Sequence, residues 1–315
     1  FCIFSMIKTE AICNVNILLY LSLMFNTNVL MSGVEWFDDA AAINPFMDSA
    51  MSIDREKARV EHEAIRKALE SAGVEVIKVE APENCQDGVY TANWALVRGD
   101  KAVLASLPNA RKNEEAYAEK ILQSLGKEVF HVPAGLRFSG QGDALPCGDY
   151  LFTGLGYRSD DEAQQFAADT LGYRRIALQT VPQMDEAGQT VINPASGWPD
   201  SFFYDIDLAL SILRFPSVNQ KGIIAWCPDA FTPESQERMS EIEFVDKIEV
   251  TLEEAIEGFA CNLVSTGEAV VMSDKAPKLK AELESRGFKI ITPAITELLK
   301  GGGYIRCTTL TLNNS

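Results

Sequence analysis

The chain has 315 residues, 28 Lys+Arg against 45 Asp+Glu, and a formal net charge of −17, which repels phosphate backbones and argues against a general nucleic-acid binder. Its two histidines, His62 and His131, leave little for a His-rich metal site. A composition that is 47% hydrophobic and 23% charged belongs to a globular protein, not a disordered or fibrous one.

Residues 1–27 do not read like the remainder. The apolar run over 11–25 is broken by Asn14, Asn16 and Ser22 and is shorter than the roughly 20 residues that a spanning helix needs. Lys8 is the one basic residue in this stretch, Glu10 follows it, and no small-residue cleavage pattern appears, so neither a signal peptide nor a membrane anchor is expected. The segment reads as a non-conforming N-terminal extension, with Met24 or Met31 as natural starts.

From residue 28 the chain reads as a repeat. The first copy has a strand at 28–32, a helix at 54–72 capped by Asp54 and stopped by Gly73, and a strand at 74–79. The second has strands at 89–97 and 102–106, a helix at 113–125 and a strand at 128–132. The third has a strand at 150–154, a helix at 160–171 ended by Gly172, and a strand at 175–179. The fourth has strands at 208–213 and 222–227, a helix at 233–242 and a strand at 247–250. The fifth has strands at 262–265 and 269–273, a helix at 276–285 ended by Gly287, and a strand at 289–292; a strand-like piece at 304–312 closes the chain.

Strands alternating with single helices ordinarily indicate a doubly wound parallel sheet. Here no G-x-G-x-x-G opens a helix and no P-loop is present. Five similar strand–strand–helix–strand units, with no low-complexity linker between them, point to a radial arrangement with strand ends lining a central channel. One α/β domain over 28–315 is expected.

Seven widely spaced cysteines without a C-x-x-C pair give no support to zinc knuckles or thioredoxin-like chemistry. Mostly buried thiols in a reducing, cytoplasmic compartment are expected.

Four loop segments carry candidate chemistry: 87–93 (DGVYTAN), 138–143 (FSGQGD), 203–207 (FYDID) and 301–307 (GGGYIRC). With 43–47 (INPFM), they resemble the motifs of the guanidine-modifying amidinotransferase and dimethylarginine dimethylaminohydrolase family, the pentein superfamily, over about residues 28–312. The resemblance implies a fivefold pseudosymmetric α/β propeller of ββαβ repeats. It also implies a small-molecule guanidino substrate such as arginine or a methylarginine, no metal or organic cofactor, and the homodimer frequent among relatives. In that family a C-terminal cysteine attacks the guanidinium carbon to form a thiouronium, a histidine handles protons, and carboxylates grip the guanidinium nitrogens.

Cys307 matches the nucleophile; it follows three glycines, and Arg306 beside it would favour the thiolate. A buried cysteine in a terminal strand is the plainer reading. Asp87 matches the acidic guanidinium ligand, or is a turn aspartate. Asn93 falls where relatives carry Asp or Asn and could accept a bond from substrate. Asp143 matches the acid of F-E-G-x-G-D, whose Glu is replaced here by Ser139. Arg158 matches a substrate-carboxylate anchor, or is a solvated arginine before a helix. Asp207 matches the second acid of F-Y-H-L-D, but Asp205 stands where that motif has histidine. A carboxyl can shuttle protons if burial or a like charge raises its pKa. Neither histidine is a substitute: His62 is expected on the solvated face of the first helix, and His131 is expected to be structural. The alternative to an enzyme is a catalytically impaired relative that binds a guanidino or amino ligand or a protein partner.

Overall fold

The computed structural model describes residues 25–48 and 52–314. The expected extension therefore lies outside the described residues up to residue 24. By Phe25 the chain already packs on the body: the Phe25 ring stacks on Phe215 at 4.2 Å, and Asn26 Nδ2 donates to the Ser265 carbonyl at 2.9 Å.

The described strands form five separate three-stranded sheets. The first joins β1 (Asn28–Met31) to β2 (Glu75–Lys78) and to the last strand, β15 (Leu310–Thr311). The second holds β3 (Ala95–Arg98), β4 (Lys101–Leu104) and β5 (Glu128–His131). The third holds β6 (Ala144–Cys147), β7 (Tyr150–Gly154) and β8 (Arg174–Leu178). The fourth holds β9 (Leu210–Arg214), β10 (Gly222–Trp226) and β11 (Val245–Glu249). The fifth holds β12 (Val264–Ser265), β13 (Ala269–Val271) and β14 (Lys289–Ile291).

Each sheet has one plan. The middle strand pairs antiparallel with one neighbour and parallel with the other. A parallel pair needs a crossover, and one helix supplies it in each sheet. These are α1 (Arg55–Ser71), α2 (Asn113–Ser124), α3 (Asp161–Leu171), α4 (Pro233–Ser240) and α6 (Pro277–Ser285). A short α5 (Leu252–Glu257), not expected from sequence, links the fourth sheet to the fifth. The antiparallel strand of each sheet is almost wholly buried, and the parallel outer strands β2, β5, β8 and β14 are part exposed. The interior therefore lies on the side of the antiparallel strands.

The local signals for helices hold. Asp54 accepts from the Lys57 N–H at the start of α1, and Gly172 ends α3 in the left-handed region at φ 72°. His62 departs from expectation. It is on the buried face of α1 with Ala58, Ile65 and Leu69, and burial pushes its pKa down to about 4. His131 is exposed at the end of β5, with Nε2 3.2 Å from Glu119.

The segment expected as a strand over 89–97 is instead a 3₁₀ turn, Thr91–Trp94, followed by β3. The closing strand expected over 304–312 pairs only at Leu310–Thr311. Before each shortened strand the chain bends inward, and these bends carry the candidate residues.

Candidate active site

Five turns meet at the interior ends of the antiparallel strands. Written in register they read TAN93-WAL, QGD143-ALP, DID207-LAL, ACN262-LVS and IRC307-TTL. Each repeat thus places one polar or nucleophilic side chain within three residues of the start of its first strand: Asn93, Asp143, Asp207, Asn262 and Cys307. All five are buried, between 0% and 3% exposed. The turns around Asn93, Asp143 and Asp207 pack directly on one another. The Ala92 N–H donates to the Cys307 carbonyl at 3.0 Å and the Arg306 N–H to the Asn262 carbonyl at 3.3 Å, so the ring of turns is stitched by backbone as well.

Cys307 is buried, but it stands in the turn ahead of β15 and not in a strand. Its Sγ lies 3.6 Å from Asp207 Oδ2 and accepts from Asn262 Nδ2 at 3.1 Å. Burial first, then the neighbouring Asp207, pushes the thiol well above its usual value. Arg306 interacts electrostatically with Cys307, while its guanidinium donates to Gln141 Oε1 at 2.8 Å and the Thr309 carbonyl at 3.0 Å, which holds the loop. Glycines let this loop close. Gly302 is left-handed at φ 84°, and a Cβ on Gly303 would come within 2.9 Å of Cys307 Cβ. Glu61 of α1 anchors the loop from behind, accepting from the Thr296 and Glu297 N–H groups at 2.9 and 2.8 Å.

Asp205 and Ser139, the two departures from the family motifs, touch each other. The Ser139 side chain stands beside the Asp205 carboxyl and draws its pKa down. Asn93 Nδ2 bridges both, at 2.9 Å from Ser139 Oγ and 2.7 Å from Asp205 Oδ2. Asp205 Oδ1 and Asp207 Oδ1 have no hydrogen-bond partner among the described residues. Burial raises the pKa of Asp205, offset first by Arg158. Burial and then Asp205 raise Asp207 and Asp143 well above the carboxylate range.

Asp143 supports the turn: its Oδ1 accepts from the Ile206 N–H at 3.0 Å, between Asp205 and Asp207. Asp87 is 1% exposed, accepts from Gln86 Nε2 at 2.9 Å, and has no partner for Oδ1 among the described residues. Burial pushes its pKa up to about 6, against the pull of Arg111. Arg158 is buried, not solvated. Its guanidinium lies 4.2 Å over the Tyr204 ring, donates to the Ile43 carbonyl at 2.7 Å, and acts electrostatically on Asp87, Asp143 and Asp205. Asp207 also lines a small cavity of about 20 Å³ with Asn26, Ser211, Cys261 and Arg306.

Sequence reasoning missed two features here. Arg111 and Glu114 form a buried ion pair at 2.7 Å, and Arg111 Nη1 donates to Asn93 Oδ1 at 2.8 Å. An R-x-x-E pair at the start of a helix is the signal, but surface pairs look the same in sequence. The other is Asn262, which the in-register alignment of the five turns would have found.

Comparison with known proteins shows the family and the fold. The family described as N,N dimethylarginine dimethylhydrolase, eukaryotic, matches residues 35–191. The N(G),N(G)-dimethylarginine dimethylaminohydrolase of Mycobacterium tuberculosis is 32% identical over 285 residues, 90% of this chain and 85% of its own length. The chain belongs to the dimethylarginine dimethylaminohydrolase family. Within the wider set of relatives, the bifunctional arginine dihydrolase/ornithine cyclodeaminase AgrE of Nostoc sp. is 29% identical over 89% of this chain, which spans only 37% of AgrE. The N-terminal domain of ArgZ, an arginine dihydrolase of cyanobacteria, has been solved with substrate; it aligns with a TM-score of 0.78 and 27% identity over 91% of this chain and 98% of that domain. A further structure of that domain is covalently bound to a reaction intermediate, with a TM-score of 0.77 and 26% identity over the same shares. Family membership accounts for a mixed α/β fold that brings the motif residues to one place. Among the described residues no helix is long and apolar enough to cross a membrane.

Proposed function

We propose that the chain is a cysteine-dependent hydrolase of an arginine-like guanidino compound, working through a covalent thiouronium on Cys307. The observation that carries this reading is Cys307 Sγ held between the Asn262 amide and the Asp207 carboxyl, at 3.1 and 3.6 Å, beside the Asn93–Asp205 pair. Names of relatives support the substrate class: one is a dimethylarginine dimethylaminohydrolase, others are arginine dihydrolases.

In this reading Asp87 and Asp207 hold the guanidinium planar against the sulfur, Asn93 and Asp143 keep the acids in place, and Arg158 binds the substrate carboxylate. The arriving cation favours the Cys307 thiolate, whose proton is lost to solvent, and ionised Asp87 and Asp207, against the burial that otherwise opposes them. The thiolate forms a C–S bond to the guanidinium carbon. The C–N bond to the leaving amine breaks as protonated Asp205 gives up its proton. Water then attacks the thiouronium carbon and returns a proton to Asp205; the C–S bond breaks, releasing a urea-type product and Cys307. An amine in place of water would make the chain an amidinotransferase. No metal or organic cofactor enters, because the thiol does the covalent work.

The same reading takes residues 28–315 as a single domain in which the five sheets stand as blades of a fivefold pseudosymmetric propeller. Its repeats are ββαβ, and the first repeat borrows its missing strand from the chain end. It includes a homodimer and a cytoplasmic setting, the latter fitting five buried free thiols among the described residues.

The test is intact-mass analysis after incubation with arginine, methylated arginines and related guanidines, with assays for citrulline, urea and released amine. An adduct on Cys307 that disappears in Cys307→Ser, together with product, is expected. A second reading is favoured by Asp205 and Ser139 standing at the family's His and Glu positions: an impaired member that binds a guanidino or amino ligand or a protein partner. Ligand binding with no adduct and no product would establish that reading in place of the first. Turnover that appears only when Asp205→His is combined with Ser139→Glu would do the same.

A further inference from the structure

Asn262 occupies, in the fourth of the five turns, the position that Cys307 holds in the fifth. It is wholly buried. Its carboxamide grips the nucleophile at two points: Oδ1 accepts from the Cys307 peptide N–H at 3.1 Å, and Nδ2 donates to Cys307 Sγ at 3.1 Å. The first contact settles the second, because a flipped amide would set N–H against N–H. The turn that presents Asn262 is itself constrained. Phe259 is left-handed at φ 49°, unusual for a bulky side chain, and its ring stacks on Tyr304 in the Cys307 loop at 5.6 Å.

We infer that Asn262 is the positioning residue of the nucleophile, fixing Cys307 Sγ in the site and donating the hydrogen bond that steadies it as thiolate. The inference rests on Cys307 being the reacting group. Two acids oppose the thiolate, Asp207 and Asp205, and the phenols of Tyr90 and Tyr204 also face it; the Arg306 guanidinium, the nearby cation, is engaged with Gln141 and Thr309. In the resting site the groups that favour the thiolate by a hydrogen bond are the Tyr304 backbone and the Asn262 amide, and of these Asn262 is the side chain. The sulfur's own S–H faces Asp207 Oδ2, so loss of the thiol proton leaves the Asn262 bond in place and strengthened, since bonds to an ionised group are the stronger ones.

The experiment measures the rate of Cys307 alkylation by chloroacetamide against pH in the full chain, read at the Cys307 peptide by mass. Asn262→Asp keeps the size and the acceptor for the Cys307 N–H but turns a carboxylate oxygen to the sulfur; Asn262→Ser removes both grips. Asn262→Asp is expected to move the alkylation midpoint up by about one pH unit or more, which lowers the rate near neutrality about tenfold. Asn262→Ser is expected to move it in the same direction by less. Wild-type profiles in the folded variants would overturn the proposal; if Asn262→Asp does not fold, Asn262→Ser decides by the same criterion. Full turnover in Cys307→Ser would instead sink the functional reading, and leave the alkylation profile to judge Asn262 by itself.

Discussion

Asn93 donates to Asp205: Nδ2 lies 2.7 Å from Oδ2, and its direction is set because Arg111 Nη1 donates to Asn93 Oδ1 at 2.8 Å. Arg111 is in turn held by Glu114, which also accepts from Trp94 Nε1 at 3.1 Å. A chain of buried bonds thus runs from the core of the second repeat to the carboxyl that stands where the family has histidine.

If Asp205 is the proton donor to the leaving amine, Asp205→Asn removes the proton but keeps the size. A fall in kcat of about 10²–10⁴ is expected. The acid form is the working form, and burial raises the Asp205 pKa. Activity should therefore decline as pH rises through the titration of the Asp205–Asp207–Asp143 cluster, and that limb should vanish in Asp205→Asn. Steady-state rates across pH check both; an Asn variant with wild-type kcat would remove Asp205 from the mechanism.

Gly142 lets the Asn93–Asp205 bond form. A Cβ there would meet Asp205 Oδ2 at 2.7 Å and come closer still to Asn93 Nδ2. Gly142→Ala should cost about 1–3 kcal/mol of stability through overpacking and reduce turnover by separating the pair. Urea unfolding and product formation measure the two effects; an unchanged rate would show that the pair is not needed.

The Arg111–Glu114 pair is almost fully buried, at 2% and 0% side-chain exposure. Arg111→Ala strands a buried carboxylate and should cost about 3–5 kcal/mol. Replacing both residues with apolar side chains should be milder in stability yet equally damaging to turnover, because Asn93 loses the bond that orients it. A double variant with normal turnover would confine Arg111 to a structural role.

Asp87 is a pH probe of the folded state. Burial raises its pKa to about 6, above the roughly 3.9 of an unfolded aspartate. The unfolded chain then binds fewer protons between these values, so stability from this group is full below about pH 4 and is lost as pH rises through about 6. The total is on the order of 3 kcal/mol. Asp87→Asn should flatten this slope and make the variant relatively more stable at about pH 8. Urea midpoints at acid and neutral pH test it; a slope equal to wild type would place the Asp87 side chain in solvent.

The five crossover helices were legible because their signals are local: Asp54 as a cap, Gly172 as a stop, apolar positions three and four apart. The motif residues were legible as positions in turns. What misled was extent. Residues 89–94 and 304–309 have strand composition, yet they bend, because a turn that faces the interior must be as apolar as a strand. His62 was misplaced for a related reason: the buried face of α1 takes in Glu61 and His62 beside Ala58, Ile65 and Leu69, and composition does not show that width.

By itself the sequence determined the run of repeats and the helix boundaries, both of which depend on neighbours a few positions apart. Tertiary structure decided three other things. It gave β1 its antiparallel partner, β15, from the far end of the chain, pairing Val29 with Thr311. It brought Ser139 and Asp205 to one shared partner, the Asn93 amide, at 2.9 and 2.7 Å. It turned Asn262 from an ordinary residue before a strand into the group that holds Cys307. Each of these joins residues at least 45 positions apart, and such contacts are chosen by how the sheets pack.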